Sequence, residues 1–413
     1  MKAKKYALSM IAVYMAYLTH GIQALIFSQN QVNFALQWGF DMSDPESAAY
    51  KAGVAAVSTA IAWTGFGKFC SVWIGGAILY VICFVTMLTT RNATLAAFAG
   101  FLAGVATSGF WDASGYPAVQ EAYPAAPGAA LIGIKFFVSL SGMIYPLLAV
   151  RNTDAGIWKM NIYIPLVMSF VVLALAIIAP YVYDDEKKAA AASDGKGSNE
   201  IEAEIQAAKD RMLVKPTAFA KFCAYFYAFL CMAIMYGAQQ YTKAFGQAYS
   251  GLTEVQAAGM TTIYTLGSLC AVIFWAFMMA KLKWNPLKVI IVDSVMTAIA
   301  LAVVLLIHNV AIVYAAILAI GFFSAGGALQ TGLGVVQMFN PGPKGRNTGI
   351  YYTFMGAASY LIPVVAAKLT VISGEGAAVY TLMGMMLVLA ILATLSTLYL
   401  IAQHKKVFGE SPL

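Results

Sequence analysis

The sequence predicts an all-α membrane protein of twelve transmembrane helices arranged as two six-helix pseudo-repeats. Three observations carry this expectation: a composition suited to lipid, twelve apolar runs of spanning length, and a second half that repeats the first at a fixed offset. Of the 413 residues, 61% are hydrophobic and 10% charged, against roughly 45–50% and 25% in soluble domains. The bilayer, not a water-facing core, therefore sets the architecture, and a lipid bilayer is the first expected partner.

The net charge of +7 does not point to nucleic acid. Lys and Arg stand singly at the ends of apolar runs without a basic stripe, a pattern that marks membrane topology. Cys70, Cys83, Cys223, Cys231 and Cys270 all lie in apolar segments without metal-ligand or redox spacing, so they read as small buried hydrophobes and no cofactor is expected. The opening Met-Lys-Ala-Lys-Lys resembles a signal-peptide start, but the apolar run behind it is long and spotted with polar residues. It reads as a retained first helix.

Apolar runs place the spans near residues 6–34, 51–75, 77–90, 93–122, 128–150, 159–183, 217–247, 254–280, 285–307, 310–339, 346–372 and 376–402. Twelve spans put both termini on one side. If that side is the cytoplasm, seventeen of the 25 cations lie inside and five (Lys51, Arg91, Arg151, Lys159 and Lys243) outside, which satisfies the positive-inside rule for an inner-membrane protein. Between the sixth and seventh spans lies a strongly polar stretch, read as a flexible linker followed by a short surface helix. The expected division is an N-terminal bundle over 1–183, a cytoplasmic linker over 184–216 and a C-terminal bundle over 217–413.

Sliding the sequence by 217 positions matches Gly109 to Gly326, Gly115 to Gly332, Gln120 to Gln337, Pro124 to Pro341 and Pro146 to Pro363, among nine identities in 41 positions. The second and eighth spans align instead near an offset of 203, so the first half is short by about 14 residues. The shortfall falls at Gly75-Gly76-Ala77, and the third span as read has only 14 residues, about 21 Å of helix against a hydrocarbon core of about 30 Å. Fusing spans two and three would turn the cation-rich loops outward, so a tight hairpin at Gly75–Ala77 is expected.

The Gly-rich fourth span, the Pro-ended turn after it, the fifth span ending in Gly142-Met-Ile-Tyr-Pro146 and the tenth and eleventh pair together resemble the major facilitator superfamily over nearly the whole chain. Within it, Ser108-Gly-Phe-Trp-Asp-Ala-Ser-Gly-Tyr-Pro117 is similar to the fucose permease and sugar–proton symporter branch. The resemblance implies the twelve-helix facilitator fold, alternating access, and a cavity lined by spans 1, 4, 7 and 10. The family's Asp-Arg-rich loop between spans two and three is absent, as is the drug–antiporter motif of the fifth span.

Ionisable groups inside a bilayer are functional candidates by default. Lys68, Asp112 and Lys135 fall in the inner half of the membrane, and an unmatched cation among them favours an anionic substrate unless Glu121 balances it. A structural ion-pair network is the alternative. Lys243 and Lys368 near outer helix ends read as snorkelling side chains. His20, Gln23, Phe27 and Asn30 share one helical face that would look into the cavity, where the imidazole of His20 is a candidate proton carrier; helix packing is the alternative. Gln239 and Gln240 in the seventh span, Gln330 and Gln337 in the tenth, and Tyr116 complete the substrate-binding set, with interhelical hydrogen bonding as the other reading.

The expected function is proton-coupled uptake of a small hydrophilic solute, a sugar, sugar acid or organic anion, by a monomer, with Asp112 and His20 as the proton-coupling pair. Efflux of an amphipathic compound is the alternative transporter, and a membrane sensor or scaffold the alternative class. A sensor is expected to carry an appended signalling domain, which neither end shows. An enzyme is not expected, since three scattered histidines offer no clustered site.

Overall fold

The computed structural model describes residues 7–45, 47–66, 73–112, 115, 119, 127–179, 206–249, 252–307, 309–342 and 344–413. Its helices are α1 (Ala7–Gln29, resuming after Asn30 as Gln31–Gln37), α2 (Ala48–Phe66), α3 (Trp73–Thr89), α4 (Ala93–Gly104), α5 (Pro127–Asp154) and α6 (Met160–Ile178). The second half has α7 (Ala218–Tyr249), α8 (Glu254–Lys281), α9 (Pro286–Leu306), α10 (Val310–Ile320, resuming as Ala328–Phe339), α11 (Lys344–Ser373) and α12 (Glu375–Phe408). Among the described residues eight helices are long and apolar enough to cross a bilayer, with shorter apolar helices at Gly75–Thr89 and Ala93–Thr107. Of the linker, residues 206–210 are helical; its residues 184–205 lie outside the described set.

Polar residues start several of these helices. Asn92 accepts from the backbone of Thr94 and Leu95, Thr253 and Gln256 form a capping box, and Asn285 caps α9 just before Pro286. These side chains satisfy amides that lipid cannot.

The structure has no hairpin at Gly75–Ala77. α3 begins at Trp73 and runs through Gly75-Gly76-Ala77 as helix, so these three residues form no turn; residues 67–72, between α2 and α3, lie outside the described set. The earlier start lengthens the third span to 17 residues, about 25 Å. Glycines that punctuate soluble chains are tolerated inside membrane helices where neighbours approach closely.

The packing follows a pseudo-twofold pattern. α1 packs on α5 and α6 as α7 packs on α11 and α12; α2 on α4 as α8 on α10; α3 on α4 and α6 as α9 on α10 and α12. The halves meet through α2 against α11 and α5 against α8. Both fourth-in-repeat helices break at matching places: π-helical turns occupy Val105–Asp112 after α4 and Gly321–Ala325 within α10. Close approach explains the glycine there, since a Cβ at Gly321 would overlap the carbonyl of Tyr264 on α8.

Candidate functional site

Sequence periodicity puts His20 and Gln23 on one face of α1, and the fold turns that face toward α3 and α4 of the same half rather than toward the other half. His20 Nδ1 lies 3.3 Å from the Tyr80 hydroxyl and 3.2 Å from the Thr107 hydroxyl, and those two hydroxyls are themselves hydrogen-bonded. Tyr80 also donates to Gln23 Oε1 at 3.4 Å, and Thr107 to the Ala103 carbonyl at 2.9 Å. Beneath them Trp111 stacks on Tyr80 at 4.4 Å and accepts from Tyr17 through its carbonyl. The two hydroxyl protons are shared among Gln23, the Ala103 carbonyl and each other, so neither is left for the ring, and an Nδ1–H donor is the tautomer that suits the network.

Thr107 sits in the π turn, which is why it reaches His20: an extra residue in the turn swings a side chain out of the i, i+4 register, a device frequent at functional sites. Gln23 is 2% exposed and its Nε2 has no hydrogen-bond partner among the described residues.

Asn30 ends the stripe in a different environment. Its Nδ2 donates to the Ile26 carbonyl and to Tyr145, while its Oδ1 accepts from Asn161 at 2.6 Å. Asn161 in turn accepts from Asn152. This amide network ties α1 to α5 and α6, and it spends Asn30 on helix packing, apart from His20.

Backbone carbonyls of α1 meet the second half. Gln240 Nε2 donates to the Ala24 carbonyl at 2.7 Å, Lys243 Nζ to the Gln29 carbonyl at 3.1 Å, and Gln29 Nε2 reaches Thr261 at 3.5 Å. Lys243 also pairs with Glu254 Oε1 at 2.9 Å. At 7% exposure, Lys243 is a buried tie between α1, α7 and α8 rather than a snorkelling side chain. Lys368 is exposed. Farther out, Gln31 donates to Glu375 at 3.3 Å, and Tyr50 of α2 hydrogen-bonds the same carboxyl. Deeper, Thr262 donates to the Met143 carbonyl and Tyr236 to the Ile61 carbonyl.

These cross-half hydrogen bonds gather between mid-membrane and the end of the bundle away from the chain termini. There the halves are closed on each other. Gln240 Oε1 and Gln29 Oε1 are buried without partners among the described residues. Gln239 is half-buried beside them; Gln330 is exposed and Gln337 half-buried on the second part of α10, at a distance from the α1–α7 contacts along the chain.

Asp112 closes the π turn after α4 and Lys135 lies in α5, but their side chains lie outside the described set. So do Lys68, Tyr116 and Glu121. Tyr80, Thr107 and Glu375 are site residues that the sequence did not single out.

The sequence pattern of the Major Facilitator Superfamily matches residues 9–337. Two inner membrane transport proteins of Escherichia coli K12 are similar along most of their length. YdiN is 26% identical over 382 residues, 88% of this chain and 84% of YdiN. YdiM is 29% identical over 370 residues, 87% of this chain and 86% of YdiM. The crystal structure of a D-xylose–proton symporter superposes with a TM-score of 0.67 at 13% identity, covering 96% of this chain and 97% of that one. At that identity the likeness speaks for the fold alone.

Proposed function

From the premise that this chain belongs to the major facilitator superfamily, and is therefore a multi-pass membrane transporter, we propose that it takes up a small hydrophilic solute, a sugar, sugar acid or organic anion, coupled to protons by alternating access. The chain works as a monomer with both termini cytoplasmic, so the closed end of the bundle faces outward. His20 and Asp112 carry the coupling proton. Gln23, Gln239, Gln240, Gln330 and Gln337 supply amides for the solute, with Lys68, Lys135 and Tyr116 as its anion-binding side.

The observation that carries this reading is the unspent amide atoms along α1 and α7: Gln29 Oε1 and Gln240 Oε1 where the halves meet, and Gln23 Nε2 on the face of α1 turned to α3 and α4. A buried polar atom without a partner costs about 1–3 kcal/mol. A solute hydroxyl recovers that cost at all three atoms because it both donates and accepts, a carboxylate recovers it only at the Gln23 Nε2 donor, and an apolar solute recovers none of it.

Thermal stabilisation of the purified protein by a panel of sugars, sugar acids, dicarboxylates and amino acids identifies the solute class. Proteoliposomes with an alkaline interior are then expected to concentrate that solute, and a protonophore to abolish the gradient. Equal internal concentration with and without the protonophore refutes proton coupling. Stabilisation by neutral sugars alone removes Lys68 and Lys135 from the binding site.

A further inference from the structure

Asp293 lies eight residues into α9, about 10 Å from the helix start. It is 1% exposed, and no group among the described residues meets its carboxyl oxygens in good hydrogen-bond geometry, although the Trp275 indole N–H lies close by. It lines a cavity of about 10 Å³ together with Tyr227 and Cys231 of α7, Thr297 of α9, Ser324 of the α10 π turn and Ala393 of α12. That is about the room a single water molecule needs.

The groups facing Asp293 are neutral. α7 brings the Tyr227 hydroxyl and the Cys231 thiol, with Tyr351 of α11 beyond Tyr227. α8 brings the Trp275 indole. α10 brings Phe323 and Ser324, and α12 brings Ala393. The nearest cation on its own helix, Lys288, is turned onto the Trp284 ring at 4.6 Å. A carboxylate in this place would be an unpaired buried charge, whereas a neutral carboxyl lacks only a hydrogen bond or two; the second is far less costly.

The internal repeat supplies an independent observation. At the 217-residue offset, Thr107 falls on Ser324 and Tyr80 on Thr297. Thr107 and Tyr80 hold His20 at the π turn of the first half, and Ser324 and Thr297 line the Asp293 cavity at the π turn of the second. Each half thus places a proton-binding side chain against its broken helix, the His20 imidazole on α1 in the first and the Asp293 carboxyl on α9 in the second.

We propose that the Asp293 carboxyl is an exchangeable proton-binding site of the second half, the counterpart of the His20 cluster. It takes its proton from water when α9 and the broken α10 part from α7, and holds it when they close. The inference rests on proton-coupled transport for its role, but not for the proton itself.

Infrared spectroscopy of the full-length protein in lipid tests it. The wild type is expected to show a protonated-carboxyl stretch at neutral pH that shifts in D2O and fades as the pH is raised. Asp293→Asn removes that band, while Asp293→Glu keeps it at a displaced position. Because Asp293→Asn exchanges one neutral group for another of the same shape, its melting temperature stays at the wild-type value. A band unchanged in Asp293→Asn, or one that neither D2O nor pH alters, overturns the proposal. If the band is lost but Asp293→Asn concentrates solute as the wild type does, the coupling role is refuted. If the wild type itself shows no proton-driven accumulation, the proposed function fails, while the infrared bands still decide whether Asp293 binds an exchangeable proton.

Discussion

Replacing His20 by Gln abolishes uphill accumulation while leaving exchange of solute across the membrane intact. The substitution keeps a hydrogen-bonding group near the hydroxyls of Tyr80 and Thr107, which lie 3.3 and 3.2 Å from the ring nitrogen, so the packing of α1 on α3 and α4 persists. It removes the group that titrates. A one-unit pH gradient is worth about 1.4 kcal/mol per proton, so a carrier moving one proton per solute concentrates it about tenfold. His20→Gln is expected to reach an inside-to-outside ratio near one. The measurement is the steady-state ratio in proteoliposomes alongside solute exchange without a gradient. A tenfold ratio in the variant contradicts the role given to His20, and loss of both activities points to damaged packing instead.

The second large effect is expected at Lys243. Its ammonium donates to Glu254 and to the Gln29 carbonyl, binding α7 to α8 and, across the halves, to α1. Hydrogen bonds to a charged group contribute about 1.5–3 kcal/mol each. Glu254 is 44% exposed, so solvent takes over part of its loss in Lys243→Met. A net loss of about 1.5–3 kcal/mol shifts the ratio of closed to open outer ends by roughly 10–150-fold. Thr261 is 0% exposed and contacts Gln29 across the halves, so Thr261→Cys reports the opening. In a Lys243→Met background its labelling by a membrane-impermeant maleimide is expected to rise at least tenfold. An unchanged rate means that Lys243 does not hold the outer end shut.

Much of the architecture is legible in the sequence because lipid allows little else: an apolar run of spanning length must satisfy its own backbone, and does so as helix. The 217-residue offset that aligns Pro146 with Pro363 also aligns the two π turns, which no hydropathy pattern announces. Gly75–Ala77 read as a hairpin but form helix, because glycine means a turn in water and close helix contact in a membrane. His20 and Gln23 are visible as a stripe at helical spacing, yet spacing cannot say which neighbour the stripe meets. That depends on how α1 packs, and α1 presents backbone carbonyls, not its polar stripe, to α7. Tyr80 and Thr107 carry no signal of their own, since tyrosine and threonine are ordinary helix-packing residues. Lys243 reads as a snorkelling side chain until Glu254 and Gln29 are seen beside it. Asp293 lies within about two turns of the start of α9, where an acid looks interfacial, and only its burial behind Tyr227 and Ser324 places it in the interior.

The central claim is that the two halves move against each other to carry solute. A Cβ added at Gly142 on α5 would lie 3.7 Å from the Cβ of Thr265 on α8, inside the range of about 3.5–4.5 Å that a disulfide requires. The measurement is solute uptake by proteoliposomes containing Gly142→Cys/Thr265→Cys, with the five native cysteines replaced, before and after oxidation. Alternating access predicts that oxidation stops uptake and that reduction restores it. Undiminished uptake by the fully disulfide-bonded protein would contradict the account.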